Sequence, residues 1–540
     1  MLALAPVLAA LLLFILNNSA VIGGWLHPPQ GYSPFWLPRA GDIAQYEATV
    51  RGYQNHWLAP NYSAPWAGEP AVLMPILWVL SKLCFLGLPF PAAYHLVQLF
   101  FYIVAAYALL FLLQAVTETR KEFYSSFLVM ICAVPVSALA LIPLLIDGRR
   151  APRPGLGAFV FDSSDGFLHG ISGSLMVTFG TASVLCAFFC LAIYIKRGDR
   201  KWLACTSAII LVSAFGHPFE FVVIVGAGTL TLSWLHRNSR RRLFGEVTAL
   251  VVPAIIGLAP YVFLVSRHDW LREAASQNHW AAPPPQELLL RLGLPAILSL
   301  ILLFARPRMS GRTDLLLQTW FVVSLVAVYV PILPHSQHML DGFVYVSAIL
   351  LVRQAAQTEL LTRAYLHHRR AMHAMLAGVL ALTLPAYPMF YEQSYRDGQA
   401  PHPKRLFSAV QADDERAAIS WLRTNARSED LILAPPGMGA WLSTVPMHTF
   451  ASHYIFSITY EEQYEIATRF YAGDLDADGA RAFLQKYGFR YVIAREAGPA
   501  HQFLQTVGRT RVQFGTFLLY ELPGNTIKSY PRDLRGEFYP

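Results

Sequence analysis

Apolar residues run in long blocks near 20 residues, separated by short polar connections, over the first 390 positions. A run of that length matches the hydrocarbon thickness of a bilayer at helical rise. The blocks predict a first span over Leu2 to about Trp25. Further spans are predicted near 93–115, 124–145, 171–195, 202–216, 218–235, 245–266, 287–305, 314–333, 342–357 and 372–390. The first has no basic leader and a poor cleavage sequence at 17–20, so it reads as a retained span. Residues 71–89 are also apolar, but the segment is short, carries Pro75 and Lys82, and ends at Gly87-Leu88-Pro89.

The pattern changes near Tyr391. Helical periodicity returns at 412–425, 460–471 and 478–487, now with polar faces. Short apolar runs at 431–433, 489–494 and 517–522 read as buried strands. Helices alternating with such strands predict an α/β unit. The expected architecture is a polytopic α-helical membrane protein of about 11 spans with a C-terminal extracytoplasmic α/β domain. Residues 1–390 form the transmembrane module, which includes an outer loop at 26–92, and residues 391–540 form the soluble domain.

Composition sharpens this. Hydrophobic residues make up 55% of the 540 and charged residues 14%, which excludes a disordered or ordinary cytosolic chain. Residues 391–540 hold 17 of the 34 acids and 16 of the 42 bases. The excess positive charge therefore belongs to the membrane part, where Lys and Arg mark cytoplasmic connections. No basic stripe with interleaved aromatics is present, which argues against a nucleic-acid partner. Basic connections stand at Arg120-Lys121, Lys196 to Lys201, Arg237 to Arg242, Arg306 to Arg312 and Arg363 to Arg370. All can be cytoplasmic if 71–89 is a half-helix at the outer interface rather than a crossing. One loop resists: 147–169 falls outside while holding Arg149, Arg150 and Arg153. That cluster either meets a lipid phosphate or marks an error in the parity. The five cysteines lie in apolar segments and read as packing residues.

Chemistry-bearing side chains gather in the outer connections. The loop after the first span carries Asp42, Tyr46 and Glu69 among many aromatics. In a helix Asp42 and Tyr46 would share a face, and a carboxylate there can deprotonate a hydroxyl acceptor or hold a metal. A helix-end carboxylate is the plainer alternative. Asp162 and Asp165 precede the span at 171 and equally suit an Asx turn. His217-Pro218-Phe219-Glu220 joins two spans almost without a polar linker. An ionisable Glu220 at membrane depth suggests function, and a structural His217–Glu220 pair is the alternative. His335, His338 and Asp341, at spacings of three, can ligate a divalent cation if helical, but no further ligand is visible nearby. His453 is a further polar candidate.

Together these features resemble the GT-C glycosyltransferases, and locally a bacterial branch of them. The carriers are Asp-x-x-x-Tyr at Asp42 and Tyr46, Glu69 before the half-helix, and the His217-Pro218 pair. The others are the Trp421-Leu-Arg423 helix, Ser452-His453 to Thr459, and the Tyr491-Val492 strand. The resemblance implies a multi-pass enzyme of the bacterial cytoplasmic membrane. It would move a sugar from a polyprenyl-phosphate carrier to a glycan, lipid or protein acceptor on the periplasmic face. It also implies Asp42 as general base. Tyr46, Glu69, Asp162, Asp165, His217, Glu220, Arg149, Arg150, Gln337, His338 and His453 are then candidate substrate contacts, and a divalent cation is a candidate cofactor. The family's Gln-Arg-Arg before a late span is replaced here by Gln337-His338-Met339, which leaves phosphate binding at that position open. A flippase, a transporter or a scaffold for envelope polysaccharide is the alternative. A transporter, however, places its polar residues at the midplane.

Overall fold

The structure is a computed structural model. It describes residues 40–63, 70–131, 175–277, 292–305, 311–330, 336–357, 410–435, 438–445, 447–452 and 459–523. It also describes 32–34, 457 and a few isolated positions. The predicted first span lies mostly outside these residues, as do positions 132–145 of the predicted span at 124–145 and the whole span at 372–390.

In chain order the elements begin with strand β1 (Tyr32–Pro34) and helices α1 (Ala40–Asn55), α2 (Pro75–Phe85), α3 (Phe90–Val116) and α4 (Arg120–Ile131). There follow α5 (Leu175–Arg197), α6 (Arg200–Gly216), α7 (Phe221–Leu235), α8 (Arg240–Arg267), α9 (Asp269–Gln277), α10 (Gly293–Ala305) and α11 (Arg312–Ala327). A 3-10 turn at Ser336–Leu340 leads into α12 (Phe343–Ala356). The last part holds β2 (Val410–Ala412), α13 (Asp413–Asn425), β3 (Leu431–Leu433), α14 (Gly439–Leu442), β4 (His448–Thr449) and α15 (Tyr460–Ala472). It ends with α16 (Ala477–Tyr487), β5 (Tyr491–Arg495), α17 (Pro499–Val507), β6 (Arg509–Phe514) and β7 (Phe517–Glu521).

The chain divides into two compact units. One comprises Met1–Asn17, Tyr94–Pro260 and His279–Phe390, and the other Asn18–Ala93, Tyr261–Asn278 and Tyr391–Pro540. This differs from the expected division, in which the outer loop belonged to the membrane module. The physical reason is pairing. β1 is antiparallel to β2, with Ser33 opposite Gln411. The Tyr62 carbonyl accepts from the Thr449 amide at 2.9 Å, and the Ser63 carbonyl accepts from Ser457 Oγ at 2.7 Å.

Four stretches among the described residues, lying wholly or mostly in the first unit, are long and apolar enough to cross a membrane: Phe90–Val116, Leu175–Arg197, Arg240–Arg267 and His338–Ala356. The core of that unit is a stack of side chains between helices. The Phe188 and Trp320 rings lie 3.9 Å apart and nearly parallel. Small residues let backbones approach, as apolar solvent on both sides favours. A Cβ on Gly257 would stand 2.8 Å from Ala214 Cβ and from the Leu211 carbonyl oxygen.

Two polar networks mark one end of this unit. Arg353, near the end of α12, pairs with Asp314 at the start of α11, with Glu122 in α4 at 3.1 Å and with Glu118 at 2.9 Å. Glu246 in α8 hydrogen-bonds Tyr194 near the end of α5. It also pairs with His236 at the end of α7 at 2.6 Å and with Arg242 at 2.8 Å. Lys196 acts electrostatically on Glu118, and Arg312 on His236, so the two networks adjoin. Every basic connection among the described residues of this unit therefore falls at the same end, as the alternation of charges requires.

The second unit holds a five-stranded sheet in the order β4-β3-β5-β7-β6. β3 is parallel to β4 and to β5, while β7 is antiparallel to both β5 and β6. Its helices stop and start where the sequence dictates. Asp476 caps α16 by accepting from the Gly479 amide at 2.7 Å, and Gly488 ends it in the left-handed region at φ 72°. An aromatic cluster of Phe450, Phe470, Phe483, Tyr487 and Phe489 packs under the helices.

Candidate functional site

α1 begins at Ala40, so Asp42 lies in its first turn and Tyr46 one turn on. The helix expected for these two is formed, and Tyr46 is buried. The next residue, Glu47, is 5% exposed and pairs with Arg51 at 2.6 Å and with Arg423 of α13 at 3.3 Å. Burial first, then the nearby Arg51, pulls Arg423 below the usual guanidinium range, and Glu47 opposes both. Gln45 is buried too and accepts from Ser63 Oγ at 2.5 Å. α1 is thus held by polar contacts on its inner face. The Tyr53 hydroxyl clamps the chain before α2 by donating to the Val72 carbonyl and accepting from the Met74 amide. The motifs of the tail also find contacts. Arg423 reaches Glu47 and Thr444, and the Trp421 ring packs edge-on to Tyr491.

Glu69, Arg149, Arg150, Asp162, Asp165 and His453 lie outside the described residues, as do the side chains of Asp42 and Gln337.

In the first unit the structure joins two motifs that stand more than 100 residues apart in sequence. His217 and Glu220 occupy the turn between α6 and α7, and His338 and Asp341 occupy the turn entering α12. His217 Nδ1 is 2.6 Å from Glu220 Oε1, and His338 Nδ1 is 3.1 Å from Asp341 Oδ2. The two imidazoles meet edge to face at 5.0 Å, and Phe219 stacks on His338 at 5.1 Å. Glu220 and Asp341 interact with each other as well. Two carboxyl groups can hydrogen-bond only if one carries the proton.

Local sequence builds this cluster. Pro218 cannot continue α6, and the chain turns there to start α7 at once. Gly342 takes φ +83°, and a Cβ on it would stand 2.9 Å from Val184 Cγ1. Only glycine serves at that corner, and it aims Asp341 inward. On α5, a Cβ on Gly180 would stand 2.1 Å from Glu220 Oε1, so the bare backbone is what leaves room for the carboxylate. Asp341 was visible in sequence only as one end of a His-x-x-Asp spacing. Its partners were invisible, because nothing local links 217–220 to 338–341. The fold brings the Glu220 and His217 side chains beside His338, which the sequence alone did not show.

The cluster sits at the N-terminal end of α12, opposite the Arg353 network near its other end. His217, Glu220 and His338 each offer one ligand atom, all within 4.8 Å of one another.

No family model matches the sequence, and no curated protein is similar to it at the sequence level. Similarity to solved structures is extensive. The oligosaccharyltransferase of Archaeoglobus fulgidus, crystallised with Zn and sulfate, superposes with a TM-score of 0.52 at 11% identity. The match covers 90% of this chain and 67% of that one. ArnT from Cupriavidus metallidurans, bound to undecaprenyl phosphate, superposes with a TM-score of 0.51 at 10% identity, over 96% of this chain and 97% of its own. Both are GT-C superfamily glycosyltransferases. The chain has the GT-C fold. The GT-C likeness extends over both compact units, since each alignment spans nine-tenths of the chain or more.

Proposed function

We propose that this protein is a GT-C glycosyltransferase. It takes a sugar from a polyprenyl-phosphate carrier and passes it to an envelope glycan, lipid or protein acceptor on the outer face of the bacterial cytoplasmic membrane. The observation that carries this reading is the end-to-end correspondence with ArnT, whose structure holds undecaprenyl phosphate. In this reading Asp42 is the general base that takes the proton from the acceptor hydroxyl. Tyr46, Glu69, Asp162, Asp165 and His453 contact substrates. The leaving phosphate needs positive charge or hydrogen-bond donors, for which Arg149, Arg150 and Gln337 are the proposed sources. The gathering of basic connections at one end of the first unit supports placing that end in the cytoplasm. α1 and the sheet are proposed to lie on the periplasmic side, where the sheet's unit contributes to acceptor recognition.

Native mass spectrometry of the detergent-purified protein with added undecaprenyl phosphate tests the carrier. A saturable one-to-one adduct that resists excess phosphatidylglycerol is expected. Binding no stronger than to the bulk lipid would refute the proposed donor class.

A further inference from the structure

We propose that His217, Glu220 and His338 form a binding site for a divalent transition metal, zinc by donor type, with Asp341 as the carboxylate that orients His338. Three arguments converge. The first is the donor set. Two imidazoles and one carboxylate, with ligand atoms within 4.8 Å of one another, are the ligand types zinc takes. A tetrahedral ion would draw such atoms to about 3.4 Å apart, a movement that imidazole rotation and a small turn adjustment supply.

The second argument concerns unmet valence. Glu220 Oε2 and Asp341 Oδ1 are buried and receive no N–H or hydroxyl donor among the described residues, while the two carboxyl groups interact with each other. The ion pairs of these two carboxylates among the described residues are with the two histidines only. Two carboxylates sealed away from water are costly unless a proton or a cation neutralises them. A dication at this position does what one shared proton does only in part.

The third argument is orientation. A metal-bound histidine commonly donates its other ring N–H to a carboxylate, which fixes the tautomer. His338 Nδ1 faces Asp341 in that way. The side chains of Glu220 and Asp341 are 0% exposed, while those of His217 and His338 keep 10% and 14%. The ion would enter, and keep its open coordination position, on the imidazole side.

The test measures metal content, so its outcome does not depend on whether the transferase reading holds. The full chain is purified through a tag free of histidine, after expression with added zinc. Metal is quantified by mass spectrometry, and Co2+ is added to the chelated protein to record its d–d bands. About one zinc per chain is expected in the wild type and in the control His56→Gln. His217→Gln and His338→Gln should each retain under about a tenth of that. Asp341→Asn should still bind, with affinity about 10–100-fold weaker, because it removes only the orienting group. Should the histidine variants fail to fold, the wild type decides alone. Chelation must lower its melting temperature and zinc must restore it. A wild type that takes up neither zinc nor cobalt would overturn the proposal and leave a shared proton as the neutralising device. Retention of full stoichiometry in both histidine variants would overturn it equally.

Discussion

Arg353 is 2% exposed and faces three carboxylates, Asp314, Glu118 and Glu122. Its removal would strand Asp314, itself 1% exposed, without a counter-charge. Breaking a buried pair from one side costs about 3–5 kcal/mol. Arg353→Met should therefore lower the melting temperature sharply in detergent, and an unchanged melt would refute the anchoring role. Glu118 is the exposed member, and its loss should cost little. Hydrogen bonding to Arg353 and the guanidinium charge hold its carboxyl below its ordinary value of 4.5. A folded-state value depressed below the unfolded one stabilises above that ordinary value, and the gain is lost as pH falls through the folded value. The melting difference between wild type and Glu118→Gln should thus be largest at neutral pH and vanish in acid. A difference that grows toward acid would contradict the assignment. Gly180 offers a second residue-scale check. Its absent Cβ is the space that Glu220 Oε1 occupies. Gly180→Ala should cost about 1–3 kcal/mol by overpacking, measured as a fall in melting temperature. A neutral result would mean that Glu220 can leave that position freely.

At the scale of elements, α2 carries the most weight. It has 11 residues, about 16 Å of helix, against a hydrocarbon core of about 30 Å. The proposed half-helix at the outer interface has that length, and the parity of every later span depends on it. In a cysteine-free background, single cysteines at Asn55 and Gly87, before and after α2, should react with an impermeant reagent from the same, external side. Labelling from opposite sides would show that the segment crosses. The same scale shows what was legible in sequence. α13, α15, α16, β3, β5 and β7 stand within a few residues of their expected places, because burial on one face leaves a strong period. β6 and α17 were not foreseen. β6, Arg-Thr-Arg-Val-Gln-Phe, is an edge strand with charged side chains exposed along it, which hides the apolar signal a strand reader needs. β4 is two residues long and exists only because β3 pairs with it.

At the scale of the whole molecule, the units are not consecutive stretches of chain. The Tyr32–Pro34 strand pairs with Val410–Ala412, and Ser63 is hydrogen-bonded to Ser457. A simple cut at Tyr391 would remove one partner of each of those pairings and so abolish them all. Truncation of the tail, which removes the sheet itself, is therefore expected to destabilise α1, whose Glu47 pairs with Arg423. The candidate site was legible to a similar, partial degree. Asp42, Glu69 and the two His-containing turns stood out as polar residues in apolar surroundings. The meeting of the two turns did not, since the contact between 217–220 and 338–341 is a property of helix packing and leaves no local pattern.

The central claim is that Asp42 performs proton transfer in a polyprenyl-phosphate-dependent glycosyl transfer. The most direct measurement is consumption of the cell's own polyprenyl-phosphate sugars by isolated membranes that contain the native acceptor. Wild type is compared with Asp42→Asn at equal protein level. Asparagine caps a helix about as well as aspartate, so the substitution spares a structural role and removes a chemical one. Loss of a general base lowers rate by about 10²–10⁴-fold. The account predicts donor turnover in wild-type membranes and a fall of at least that order in Asp42→Asn, with an unchanged melting temperature. Turnover within about tenfold of wild type in the variant, or no donor consumption by the wild type, would contradict it.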